Sequence, residues 1–173
     1  LGERDPAEAA ALYEQLLRDF FGPHGDPVFT FDVVLLGLGE DGHTASLFPG
    51  TGPIRETARW VAGHYVDARK RWRITLTPAA INAARTVVFL VAGKTKAAAA
   101  RDVLEGPCRP DALPAQAIRP LHGELRWMLD REAAQLLTRQ PKGGRPDGKN
   151  RQENKPMEND RDLEDALLVE DLH

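Results

Sequence analysis

Apolar positions along this chain fall into two kinds of run. The first has helical spacing. In "DPAEAAALYEQLLRDFF", Ala9, Leu12, Leu16 and Phe20 recur three and four residues apart, which predicts a helix with one buried stripe through them. Asp5 as N-cap, Pro6 at the first helical position and Glu8 at the capping-box position predict where it starts. "GPHGDP" then ends the pattern with turn residues. The second kind is continuous: "FTFDVVLLG" and "TVVFLVAG" have the unbroken apolar character of parallel strands covered on both faces. "WRITLT" alternates, and "GELRWML" is the last strand of the set. Between the strands, "PAAINAA" opened by Pro78, "KTKAAAARDVLEG" closed by Gly106, and "DREAAQLL" predict helices. A loop from Pro107 to Pro114 leads into a short stretch around "QAIRPL". Strands alternating with helices predict an α/β layered domain with a mostly parallel sheet.

The pattern fails after Leu137. Residues 139–162 hold one residue of the apolar set, Met157, among charged residues, Asn, Gln, Gly and Pro. Such a stretch cannot bury enough surface to offset its ordering entropy, so disorder is expected. Leu163, Leu167, Leu168 and Leu172 return at roughly helical spacing and predict a short terminal helix. The chain therefore divides into a domain over residues 1–138 and a polar tail over 139–173.

Composition narrows the function classes. An apolar share of 42% with 28% charged residues describes a globular protein with a real core. A formal charge of −3 gives no argument for a nucleic-acid or membrane partner. No apolar stretch reaches the roughly 18–20 residues of a membrane span. The single cysteine, Cys108, excludes an intrachain disulfide and fits a reducing, cytoplasmic compartment. It sits in the proline-rich "EGPCRPDALPAQ" with no base beside it, as a bystander thiol does. The start, "LGERDPAEAA", lacks an initiating methionine and the basic and apolar parts of a signal peptide. A piece of something longer is expected.

Candidate chemistry begins at "GLGEDGHTASLFPG", where the first strand ends. Ligands of open α/β sheets bind beyond the carboxyl ends of the strands. Gly37 and Gly39 let the backbone turn tightly and admit a ligand, and "HTASLF" reads as the opening of a helix whose free N–H groups could meet an anion. Asp41 can orient His43 or a water beside it, and His43 is the side chain best suited to take a proton at neutral pH. A glycine turn carrying a solvent-exposed histidine is the other reading of the same triplet. Arg73 in "RITLT" and Lys96 in "GKTKAAA" also stand near strand ends, where an arginine fork and a lysine point charge could together grip a phosphate. Neither an H-E-x-x-H pattern nor a cysteine cluster is present, so no metal or other cofactor is expected.

"GLGEDGHTASLFPG", "RITLTPAAINAA", "VFLVAGKTKA" and "LPAQAI…GELRWMLDREAA", in this order, closely resemble the bacterial 6-phosphogluconolactonases, of the glucosamine-6-phosphate isomerase/6-phosphogluconolactonase family. The likeness runs from about residue 5 to 137. It implies a three-layer α/β/α sandwich with a mostly parallel, Rossmann-like sheet. It also implies hydrolysis of 6-phosphogluconolactone to 6-phosphogluconate, in the oxidative part of the pentose phosphate pathway. His43 would be the acid/base residue assisted by Asp41. Arg73 and Lys96 would hold the substrate phosphate, with Gly37, Gly39 and Gly42 shaping the site. Lys94 fits the family lysine less well, because that lysine stands directly before the alanine, as Lys96 does. Two other readings are a glucosamine-6-phosphate deaminase/isomerase and an inactive sugar-phosphate-binding fragment; the deaminases of the family place a glutamate five residues after the histidine, where this chain has Phe48. Family members also open with a further parallel strand and a glycine–serine or glycine–threonine phosphate loop, and carry an acidic–arginine pair. Neither is seen here. The resemblance thus implies a domain lacking its N-terminal strand, with Val33 and Leu35 left open. A monomer or weak homodimer acting on a small sugar phosphate is expected.

Overall fold

The computed structural model describes residues 4–21, 30–138 and 167–169. A four-stranded sheet has the order β1-β4-β5-β6, from β1 (Val33–Leu36), β4 (Thr86–Val91), β5 (Glu124–Leu129) and β6 (Leu167–Val169). β1 runs parallel to β4 with Val34 opposite Val87, and β4 runs parallel to β5 with Phe89 opposite Trp127. The α/β class and mostly parallel sheet are those expected. Val34, Leu36, Val87, Phe89, Trp127 and Leu129 share one buried face, where the Phe89 and Trp127 rings stack with centroids 3.8 Å apart. Three helices add to this core cluster, with Ile81 of α2 (Pro78–Asn82), Ala100 of α3 (Ala97–Leu104) and Ala133 of α4 (Arg131–Ala134), and loop residues such as Leu38, Leu47 and Ile118 complete it.

Among the described residues, the opposite face is open. Val33 is 55% exposed and Leu35 63%, with Leu90 of β4 also exposed. The strand read as covered on both faces is covered on one by the described residues. An unbroken apolar run records that two faces need cover, without saying which residues supply it.

Two further expectations are corrected. "WRITLT" is not in the main sheet. It forms β3 (Arg71–Leu76), paired antiparallel with β2 (Val61–Val66) in a separate two-stranded hairpin. The alternating pattern suits an antiparallel ribbon with one solvated face. A 3-10 turn, Asp67–Arg69, and Lys70 at φ 49° join the two strands. In the tail, Leu167–Val169 pairs antiparallel with β5 rather than forming a helix, because three apolar residues in a row fit the free edge of a sheet as well as a helical stripe. The remainder of 139–173, including the expected disorder, lies outside the described residues.

Helix α1 (Pro6–Phe21) forms as predicted, with Asp5 Oδ1 accepting the N–H groups of Ala7 and Glu8 at 3.0 and 3.2 Å. Its buried stripe differs. Ala9, Ala10 and Leu17 are buried, whereas Leu12 is exposed, Leu16 is 58% exposed and Phe20 72%. The hairpin decides the matter. Ala10 and Leu17 pack on Val61 and Ala80, and between them Glu14 Oε2 accepts the N–H groups of Trp60 (3.0 Å) and Val61 (3.2 Å). Arg18 pairs with Glu14 at 2.6 Å and lies over the Trp60 ring. A polar residue with two backbone donors to satisfy outranks apolar positions that stay largely exposed among the described residues.

Candidate active site

The loop after β1 is built by its glycines and its carboxylate. Gly39 N–H donates to His43 O at 2.8 Å, and Gly42 N–H to Gly39 O at 3.0 Å, closing a tight turn. Gly42 takes φ 78°, a conformation that favours glycine, and its carbonyl accepts from Ala115 N–H at 3.0 Å. At Gly39 a side chain would overlap the His43 ring and the Asp41 carboxylate, so the imidazole lies directly against bare backbone. At Gly37 no atom lies within 4 Å of where a Cβ would stand, so no protein contact demands glycine there.

Asp41 and His43 form the pair that the spacing implied. Asp41 Oδ1 lies 2.5 Å from His43 Nδ1 and accepts the His43 backbone N–H at 3.2 Å. Partial burial pushes the Asp41 carboxyl up, but the His43 ring and backbone N–H outweigh it and hold the group below its ordinary value. Asp41 is therefore ionised at neutral pH and receives Nδ1–H, which leaves the Nε2 lone pair as the basic position. On its face, His43 stacks on Phe48 with centroids 4.2 Å apart and an interplanar angle of 24°.

The predicted helix at "HTASLF" is absent. Thr44 and Leu47 instead form a small bridge with Leu47 N–H on Thr44 O at 2.9 Å, and Ala45 takes φ 49°. Thr44 Oγ1 donates to Gly37 O at 2.8 Å, drawing the chain back across the turn instead of onward into a helix. No helix N-terminus faces the site from this segment. The N–H groups of Gly39, Gly42 and His43 are all engaged inside the turn.

Lys96 reaches the loop from the end of β4. Gly93, at φ 94°, donates its N–H to Asp130 Oδ2 at 2.8 Å, and Lys94 N–H donates to Glu132 Oε2 at 3.2 Å. These bonds anchor a 3-10 turn over Lys94–Lys96. Lys96 Nζ lies 3.9 Å from Glu40 Oε1, beside Asp41, while Lys94 is exposed. Arg73 stands on β3 opposite His64 of β2 and makes no ion pair with a described residue. Its register partner His64 and its same-face neighbour Thr75 both bond to Ser46 of the loop. Loop, hairpin and lysine turn thus meet around residues 40–48. Phe48, His64, Thr75 and Glu40 are the members that sequence reasoning missed or, for Phe48, noted only for what it replaces. Among the described residues, no group of three or more His, Cys, Asp or Glu is placed to hold a metal ion. No helix among them is long and apolar enough to cross a membrane.

Residues 1–127 match the family described as glucosamine-6-phosphate isomerases/6-phosphogluconolactonase. The chain is 42% identical over 133 residues to a 6-phosphogluconolactonase of Synechocystis, covering 77% of this chain and 54% of that one. The solved 6-phosphogluconolactonase of Trypanosoma brucei superposes with TM-score 0.64 at 35% identity, over 76% of this chain and 53% of the other. A monomeric glucosamine-6-phosphate deaminase superposes with TM-score 0.60 at 30% identity, over 78% and 57%. The strand order and the helices packed on them define an α/β protein with a mostly parallel sheet. The chain belongs to the glucosamine-6-phosphate isomerase/6-phosphogluconolactonase family. It spans about half the length of the curated relatives it matches.

Proposed function

We propose that this protein belongs to an enzyme that hydrolyses 6-phosphogluconolactone to 6-phosphogluconate, a carboxylic ester hydrolase. The observation that carries the reading is the Asp41–His43 pair on the turn at the end of β1, held against Phe48. The lactone is a cyclic ester with its phosphate remote from the carbonyl. Arg73 and Lys96 grip that phosphate, so remote binding energy places the reacting carbon. Lys96 leaves Glu40 to do so, since the 3.9 Å pair is a weak surface contact. His43 Nε2 takes a proton from the attacking water while Asp41 stabilises the imidazolium. The tetrahedral intermediate then collapses, and the imidazolium returns the proton to the departing ring oxygen. With the N–H groups of Gly39, Gly42 and His43 engaged inside the turn, the imidazolium is a positive charge that develops beside the oxyanion.

The deaminase reading lacks its proton relay at Phe48. An aromatic ring stacked on His43 carries no exchangeable proton, whereas a lactone needs only one acid/base group. The whole enzyme, of which this chain spans about half, would work in the cytoplasm as a monomer or weak homodimer. The test is lactone hydrolysis by this chain and its His43→Ala variant, corrected for spontaneous ring opening. The variant should lose about a hundredfold in turnover, the contribution of a general base. Hydrolysis above the spontaneous rate that is equal in both would refute the assignment, whereas none in either would favour an inactive sugar-phosphate-binding fragment.

A further inference from the structure

Two side chains of the β2–β3 hairpin hold both polar groups of one loop peptide unit pair. Thr75 Oγ1 accepts the Ser46 N–H at 3.2 Å, and His64 Nε2 lies 2.8 Å from Ser46 O. A carbonyl can only accept, so His64 carries its proton on Nε2. His64 Nδ1 is then a bare acceptor, buried and without a partner among the described residues. Leaving a buried acceptor unpaired carries a cost. The ring is held in that state by what Nε2 does.

What Nε2 does is fix the loop between two points of the site. Ser46 follows Ala45, whose φ of 49° is unfavourable for an alanine and has to be imposed by its surroundings. Two residues beyond Ser46, Phe48 presents its ring to His43 at 4.2 Å. On the hairpin side, His64 is the register partner of Arg73, and Thr75 follows Arg73 by two on the same face of β3. One rigid ribbon therefore carries the arginine and, two hydrogen bonds away, sets the seat of the imidazole.

We infer that His64 and Thr75 are positioning residues for the acid/base group. They clamp Ser46 so that Phe48 holds the His43 ring, and they tie that ring's place to the strand bearing Arg73. This inference rests on His43 being the acid/base group, although the clamp itself can be tested without turnover. His43 ring protons lie over an aromatic face, so Phe48 should displace their resonances upfield. The His43→Asn spectrum of the same chain assigns them. His64→Leu removes the donor, His64→Gln keeps an amide N–H at similar reach, and Thr75→Val removes the acceptor at constant shape.

We expect the upfield displacement to be lost in His64→Leu, reduced in Thr75→Val and retained in His64→Gln. In the lactone assay, kcat should fall about tenfold or more in His64→Leu with KM within about twofold, and His64→Gln should recover most of it, since a small misplacement costs that much. Unchanged His43 resonances in both His64→Leu and Thr75→Val would overturn the clamp. So would a displacement lost equally in His64→Leu and His64→Gln, which would make ring bulk the cause. If His64→Leu does not fold, Thr75→Val decides by the same resonances. Intact wild-type resonances with no His43-dependent hydrolysis would remove the functional reading and leave the clamp standing.

Discussion

Asp41 Oδ1 accepts from both the ring and the backbone of His43, at 2.5 Å and 3.2 Å, so one oxygen fixes the imidazole's orientation and its tautomer. Replacing Asp41 by Asn keeps the shape but offers an amide that can donate to Nδ1, leaving the proton on Nε2. The nitrogen facing the substrate would then have no lone pair. We expect Asp41→Asn to lower lactone turnover by about a hundredfold or more with little change in KM, as a wrong tautomer does elsewhere. Progress curves at fixed pH check this, and a variant keeping half the wild-type rate would show that the carboxylate charge is not needed.

Gly39 and Gly37 make a contrasting pair. A methyl group at Gly39 would overlap His43 Nδ1 and Asp41 Oδ1, whereas at Gly37 it meets nothing within 4 Å. Gly39→Ala should therefore displace the His43–Asp41 pair and abolish turnover, with a loss of stability of about 1–3 kcal/mol from overpacking. Gly37→Ala should melt like wild type. Its KM then reports whether a substrate approaches that backbone. Full activity in Gly39→Ala would mean that the loop rearranges at no cost to the site.

The elements were legible where local rules suffice, and the site only in part. α1 begins where Asp5 and Pro6 say it should, but its docking face was not readable: apolar residues lie most of the way round, and only the hairpin selects Ala10, Glu14 and Leu17. β2 escaped notice because Gly63 and His64 interrupt its apolar run. The Asp41–His43 pair was visible because its partners are two residues apart. The Ser46 bonds to His64 and Thr75 span 18 and 29 positions, and no local pattern announces them. The expected helix at Thr44 fails because Ala45 adopts a left-handed conformation that only long-range contacts sustain.

Arg73 and Lys96 should act through the phosphate. Arg73 makes no ion pair with a described residue, so Arg73→Ala leaves no buried charge stranded. We expect either Arg73→Ala or Lys96→Ala to weaken 6-phosphogluconate binding by about 1.5–3 kcal/mol, the range for hydrogen bonds to charged groups. Binding of unphosphorylated gluconate should barely change. Titration calorimetry with both ligands separates the cases, and equal losses would place these cations elsewhere in the reaction.

Acid sensitivity should trace partly to Glu56. The backbone N–H groups of Ala58 and Arg59, followed by the Arg59 side chain, lower its carboxyl from 4.5 to about 2. Glu14 is also lowered from 4.5: burial raises it, but Arg18 and the N–H groups of Val61 and Trp60 prevail. A depressed carboxyl stabilises the fold fully above its unfolded value and loses that contribution as pH falls through the folded one. The melting-temperature gap between wild type and Glu56→Gln should thus be full above about pH 4.5 and close toward about pH 2. A gap independent of pH would show that ionisation of Glu56 is not coupled to folding.

The open face of β1 predicts self-association. β1 is the edge of the sheet, paired only with β4 among the described residues, and its Val33 and Leu35 side chains are 55% and 63% exposed. Leu90 of β4 extends the same apolar surface. An uncovered apolar face beside unpaired strand donors and acceptors is a template for another chain. Leu35→Lys places a charge on that face and removes nothing from the core cluster, to which Leu35 does not belong. Light scattering on size-exclusion fractions should show wild-type chain in higher-mass species, and Leu35→Lys shifted toward monomer. Stability should stay within about 0.5 kcal/mol of wild type, as for a surface substitution. An equal mass distribution for the two chains would mean that this face does not drive association. A large fall in melting temperature with monomer retained would mean instead that Leu35 is covered by its own chain in solution.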